Sequence, residues 1–197
     1  YQSIADTKDV VALLDRLGID CIVTAPHPML DGMMPFANEA ALEASRQFPG
    51  RIYGYISICP HDGISAIQRE LKRYGKEKNF VGLKLLSGYH GELDREEYQY
   101  ALDFANEAGC PVVAHIWGGA PSLKSVEAVV RTRPRMKLIM AHLGGGSAEC
   151  FDSYVWLMAC YPNLYTDICG SLSKRYSIED VVEKAGETRV IFGRDLI

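Results

Sequence analysis

Short apolar, β-branched runs return along the chain at a nearly constant interval, and no other feature limits its possible folds as strongly. They are GIDCIVTA from Gly18, RIYGYISIC from Arg51, FVGLKLL from Phe80, PVVAHIW from Pro111, KLIMAHL from Lys137, NLYTDICG from Asn163 and RVIFGRD from Arg189. Their starts lie about 26 to 33 residues apart, the length of one strand, a crossover helix and two short loops. The intervening stretches carry helical periodicity. VVALLDRLG places Val10, Leu13, Leu14 and Leu17 on one face, and EEYQYALDFANEAG does the same with Tyr98, Ala101, Leu102 and Phe104 or Ala105, with Gly109 as a stop. Strand alternating with helix predicts a parallel α/β sheet.

The units share no sequence similarity, so the repeat is architectural. Seven strands preceded by a helix over Thr7 to Leu17 predict an eighth strand before Tyr1 and closure into a (β/α)8 TIM barrel. The expected organisation is a single domain over residues 1–197, with the first strand and the last helix missing from the chain. Polar residues end several separate strands: His27, His61, Lys84, His115, His142, Asp167 and Asp195. An open doubly wound sheet gathers its ligand groups at one switch point, whereas a barrel brings every strand end to one mouth.

Side-chain alternation assigns faces to these ends. Val113 and His115 share one face of PVVAHIW; Leu138, Met140 and His142 form the expected inward set of KLIMAHL; Ile191, Gly193 and Asp195 form that of VIFGRD. Two imidazoles and a carboxylate at strand ends, facing one mouth, are what a divalent metal with a polarised water requires. A core histidine bonded to a carbonyl is the competing account of His115, and a helix cap that of Asp195. Coincidence of position in three strands favours the metal.

PVVAHIWGG, KLIMAHLGGG, YPNLYTDICGS and RVIFGRD, in that order and spacing, resemble the amidohydrolase-related branch of the metal-dependent hydrolase superfamily, the branch that includes aminocarboxymuconate-semialdehyde decarboxylase-like enzymes. The resemblance runs over essentially the whole chain and extends to GLKLL and to the LGID and FPGRIYG segments that lead into strands. It implies that His115 is a metal ligand, that Asp195 is a ligand that also manages the water's proton, and that His142 is the catalytic or second metal histidine. It also implies a His-x-His pair at the end of the first strand. No His-x-His occurs between Tyr1 and Ile197, so this pair is expected before Tyr1.

Lys84, a bridging ligand in some wider relatives, reads here as a substrate-charge partner or a solvated strand-end residue, because this branch uses one metal. His90 and Asp167 are further candidates for substrate contact, against loop exposure and a structural hydrogen bond respectively. His27 and His61 read as loop residues. LGGGSAEC after His142 fits neither the dinucleotide fingerprint, nor the P-loop, nor the nucleophile elbow; close backbone packing is the simpler account of its glycines.

A formal charge of −4 with no basic run argues against nucleic acid and leaves a small-molecule substrate. No apolar run reaches a membrane span of about 18 residues. The six cysteines have no metal-knuckle or redox spacing and read as reduced thiols of a soluble, cytoplasmic protein. The expected activity is hydrolysis of a lactone, amide or ester by a water activated on one divalent ion, zinc first and manganese second, with His142 or Asp195 accepting the proton. Short strand-to-helix loops, as between His115 and Lys137, leave little room for a lid and favour hydrolysis over the alternative, decarboxylation of an aromatic or muconate-like acid. A catalytically silent barrel that binds a ligand or a partner is the third possibility. SYVWLMACY, with Tyr154, Trp156 and Leu157, would suit a homo-oligomer interface, although packing on the barrel explains it better.

Overall fold

A parallel sheet in sequential order, β1-β2-β3-β4-β5-β6-β7, forms the centre of the molecule. This computed structural model describes residues 6–116, 119–145, 148–169 and 177–193. The strands are β1 (Ile22–Thr24), β2 (Ile52–Ile58), β3 (Phe80–Leu85), β4 (Pro111–Ala114), β5 (Lys137–Met140), β6 (Leu164–Asp167) and β7 (Val190–Ile191). Each falls inside one of the seven apolar runs. The helices between them are α1 (Thr7–Leu17), α2 (Met34–Gln47), α3 (Ile64–Tyr74), the single turn α4 (Ser87–His90), α5 (Glu96–Ala108), α6 (Ala120–Thr132), the turn α7 (His142–Gly145), α8 (Ala148–Cys160) and α9 (Ser177–Ala185). Among the described residues no helix is long and apolar enough to cross a membrane.

Capping explains where the periodic stretches start and stop. Asp6 accepts the backbone N–H of Lys8 at 2.9 Å to open α1, and Gly18, at φ 68°, closes it in the left-handed conformation. Gly109 closes α5 in the same way at φ 67°. The buried stripe of α5 is Tyr98, Ala101, Leu102 and Ala105, with Phe104 packed at its margin.

The sheet is curled, with each face meeting different partners. Ile56, Ile58, Leu83, Leu85, Val112, Ala114, Leu138 and Met140 point outward and form one cluster with the helices, including Leu71, Tyr98, Leu102, Val126 and Val130. Val113, Ile139, Ala141 and Cys169 point inward, packed with Tyr55 and Tyr165. A (β/α)8-type barrel wall results, and residues of β1 and β7 line one cavity with the inward residues Val113 and Ile139.

The structure reverses one face assignment read from the sequence. Leu138 and Met140 face the helices rather than the interior, and the inward residues of this segment are Ile139 and Ala141. His142 still reaches the mouth because the strand ends before it. His142 and Leu143 have φ 59° and 53°, so the backbone departs from strand geometry and alternation stops applying.

A buried polar network joins α2, β2 and α3. Asn38 Nδ2 donates to Ser57 O at 3.2 Å and to Glu70 Oε2 at 2.8 Å, while Ser57 N donates to Asn38 Oδ1 at 2.7 Å. Removing one member leaves several buried groups without partners. Asn38→Ala is expected to lower stability by about 2–4 kcal/mol, read as a lower urea midpoint with unchanged slope.

Candidate metal and proton-transfer site

Asp167 ends β6 as the hub of the site. Its Oδ1 accepts the backbone N–H of Cys169 at 3.2 Å, an Asx-type turn that stops the strand. The same oxygen accepts the backbone N–H of His142 at 2.9 Å and the thiol of Cys169 at 2.8 Å. The first of these bonds crosses from β6 to the end of β5 and holds His142 in the left-handed region, which costs a non-glycine residue about 1–2 kcal/mol. Gly144 continues this turn at φ 82°, and a Cβ there would lie 2.5 Å from the Tyr154 ring. Close packing against α8 therefore accounts for this glycine.

The ring of His142 is engaged on both edges. Its Nδ1 lies 3.1 Å from Cys169 Sγ and 3.4 Å from Cys169 O. Since the thiol donates to Asp167, both cysteine atoms accept, and Nδ1 of His142 carries the proton. Nε2 of His142 lies 2.8 Å from Nδ1 of His115, with the two rings nearly perpendicular. With its proton on Nδ1, His142 accepts at Nε2 and His115 donates, which leaves Nε2 as the basic nitrogen of the His115 ring.

His115 follows Ala114 at the end of β4. Its N–H donates to Leu85 O at 2.9 Å, and its carbonyl accepts Gly88 N at 3.0 Å and Ser87 Oγ at 2.9 Å. Backbone bonding to β3 and α4 thus fixes the histidine from both sides. Burial, then the neighbouring positive charges of His142 and Lys84, lower its pKa from 6.5 to about 4, against an opposing pull from Asp167. The ring is neutral at physiological pH, the form that ligates metals.

Beside the pair lies a cavity of about 380 Å³ reached by Tyr55, Lys84, Val113, Ile139, Asp167 and Cys169. Its other walls are mainly apolar, with Leu14, Leu17, Ile22 and Val23 on one side and Ile191 and Phe192 on the other. Burial and the charge of Asp167 raise the Tyr55 hydroxyl to about 12, so it remains a neutral donor.

His115, His142 and Asp167 thus come together, and Lys84 faces the adjoining cavity. Asp195 lies outside the described residues. His90 is buried elsewhere: its Nε2–H donates to Leu30 O at 3.2 Å and its ring meets His61 edge-on, and it is not among the cavity residues. His27 and His61 are exposed. Cys169 was missed as a site residue. Its signal was present in the D-x-C spacing, which puts Asp167 and Cys169 on one face of the β6 extension.

A family model described as Amidohydrolase matches residues 12–197. The chain belongs to the amidohydrolase family. No curated protein matches it significantly. Among solved structures it is similar to 2,6-dihydroxybenzoate decarboxylase from Rhizobium, with TM-score 0.74 and 17% identity over 98% of this chain and 77% of that one. A second is 5-carboxyvanillate decarboxylase from Novosphingobium aromaticivorans, complexed with manganese and 4-hydroxy-3-methoxy-5-nitrobenzoic acid, with TM-score 0.73 and 18% identity over 96% and 70% of the two chains. A third is a dihydroxybenzoic acid decarboxylase from Polaromonas with bound manganese and 2-nitroresorcinol, with TM-score 0.70 and 18% identity over 98% and 75%.

These likenesses establish the TIM-barrel fold and remove the ground for the expected reaction class. The amidohydrolase chain was expected to be a hydrolase because its loops are short. Structures that share its architecture over nearly its whole length include decarboxylases of phenolic acids, so loop length does not exclude an aromatic acid, and the expectation of a hydrolase is not upheld.

The depressed His115 pKa sets a pH dependence for the metal-free amidohydrolase. Between pH 6.5 and about 4 the unfolded imidazole binds a proton that the folded one refuses, so stability falls as pH drops through this window. Urea unfolding at stepped pH should show the decline, and His115→Gln should flatten it.

Proposed function

We propose that this amidohydrolase is a metal-dependent decarboxylase of a phenolic or related aromatic carboxylic acid. The observation that carries the reading is the pair of imidazoles 2.8 Å apart on neighbouring strand ends, beside a mostly apolar cavity with an ammonium group, Lys84, in its wall. A mostly apolar slot with one cation, its one carboxylate, Asp167, engaged by His142 and Cys169, suits a flat ring bearing a carboxylate. The fold shared with phenolic-acid decarboxylases supports the same choice.

The residues suit a divalent ion, manganese before zinc by the bound metals of the similar structures. His115 offers neutral Nε2, and Asp195, by family resemblance, a carboxylate. When bound, the ion supplies positive charge that orients the substrate's carboxylate and adjacent oxygen. The remaining work falls to the protein. Lys84 pairs with the substrate's negative charge, and the buried Val113 and Ile139 exclude water from the ring face.

Loss of CO2 from an aromatic acid needs a proton at the carbon that carried the carboxylate. His142 Nε2 is the atom placed to pass it: in the substrate-free site it accepts from His115 Nδ1, and the proton it passes comes from solvent, while His115 keeps its own. Solvent returns it after each turnover, so the net change is one carboxylate and one proton converted to an arene C–H and CO2. Asp167 acts through His142, which it holds in position, rather than on substrate. His90 has no substrate role in this reading.

Protein supplied with Mn2+ is expected to release CO2 and the matching phenol from a panel of hydroxybenzoates and carboxylated methoxyphenols. His142→Asn should lower kcat about 10²-fold or more with metal content unchanged, whereas His115→Ala should lose the metal. Metal-replete protein that releases no CO2 from any panel member would overturn the proposal.

A further inference from the structure

The proposed reaction uses the Nε2 edge of His142 and leaves the opposite edge unassigned. There His142, Asp167 and Cys169 each offer one ligand atom, the three within 4.8 Å of one another. Sγ lies 3.1 Å from Nδ1 and 2.8 Å from Oδ1. We propose that these three atoms form a binding site for a thiophilic divalent cation such as Zn2+, Co2+ or Cd2+, distinct from the site offered by His115 and Asp195.

The donor set is the first argument. One thiolate, one imidazole and one carboxylate match borderline and soft cations, while Mn2+ and Mg2+ prefer oxygen-rich shells. The geometry is the second. Sulfur and a nitrogen or oxygen ligand around a tetrahedral zinc stand about 3.5 Å apart, given bonds of about 2.0 to 2.3 Å, so Sγ needs to draw back by about 0.4 Å from Nδ1 and about 0.7 Å from Oδ1. Access is the third. Asp167 and Cys169 are 8% and 7% exposed, and that exposure faces the cavity, which provides an entry path and leaves a fourth position for water.

Local backbone structure keeps the three donors in place without the ion. Asp167 is fixed by the two N–H groups of His142 and Cys169, and the left-handed turn at His142 aims its Nδ1 at the cysteine. Coordination releases one proton to solvent, that of the Cys169 thiol. The His142 proton moves to Nε2 and is donated to His115 Nδ1, so the His115 proton moves to its own Nε2, and a cation here competes with one held by His115 Nε2. Lys84 borders the cavity and opposes a cation electrostatically; thiolate and carboxylate together supply two negative charges against it.

Cobalt titration of the whole chain reads the thiolate directly through its ligand-to-metal charge-transfer absorption. With the exposed Cys21 and Cys160 replaced by serine in every sample, the band should saturate at one Co2+ per chain, resist excess Mg2+, and vanish in Cys169→Ser. His142→Gln and Asp167→Asn should weaken binding at least tenfold. A second readout needs no change at the site: Cd2+ should slow alkylation of Cys169, mapped by mass spectrometry, without slowing that of Cys59 or Cys110. Absence of the band in the parent, its survival in folded Cys169→Ser, or equal alkylation with and without Cd2+ would overturn the proposal. Decarboxylation, measured as CO2 release with Mn2+, stands or falls separately.

Discussion

Everything distinctive about the mouth of this barrel depends on one carboxylate oxygen. Asp167 Oδ1 receives the backbone N–H of His142, the backbone N–H of Cys169 and the thiol of Cys169. A carboxylate accepts such bonds strongly because its oxygens carry negative charge. The first bond crosses between strands and offsets the cost of a left-handed histidine; the other two end β6 and orient the thiol. Without this hub the chain after β5 would be free to continue as strand, and the imidazole of His142 would take the other face of the sheet.

The hub also explains how a proton is managed between two groups of the same type. Two neutral imidazoles in contact have an ambiguous arrangement unless something beyond them chooses a tautomer. Here the cysteine chooses. Its thiol proton is committed to Asp167, so its sulfur and carbonyl accept from His142, and His142 in turn accepts from His115. The order runs from a fixed charge through three neutral groups to Nε2 of His115, and each step is fixed by the donor capacity of the step before.

Legibility of the sequence followed the same boundary. Strand number, order and helix faces were readable because they rest on local patterns: apolar runs at constant spacing, and stripes such as Tyr98, Ala101, Leu102 and Ala105. His115 was correctly placed beside Val113, because β4 runs straight to Ala114 and alternation holds to its end. The faces of β5 were misread, with Leu138 and Met140 taken as inward, because His142 had been used to set the phase. A histidine reached through two left-handed residues carries no phase information, and the cause of that conformation is Asp167, 25 residues later. No window of local sequence contains both. Asp195 lies beyond the described residues, and its role rests on the family resemblance.

Cys169 shows a different reason for a miss. Cysteines were sorted by their spacing to one another, which finds zinc knuckles and redox pairs but not a thiol whose partners are an aspartate two residues away and a histidine on the next strand. The informative spacing was Asp-x-Cys at a strand end, where period two puts both side chains on the interior face. A buried thiol in apolar surroundings is inert packing, yet the same thiol between a carboxylate and an imidazole is a polar network member and a ligand in waiting. Environment rather than residue type decides between these, and here a single turn at the end of β6 supplies that environment.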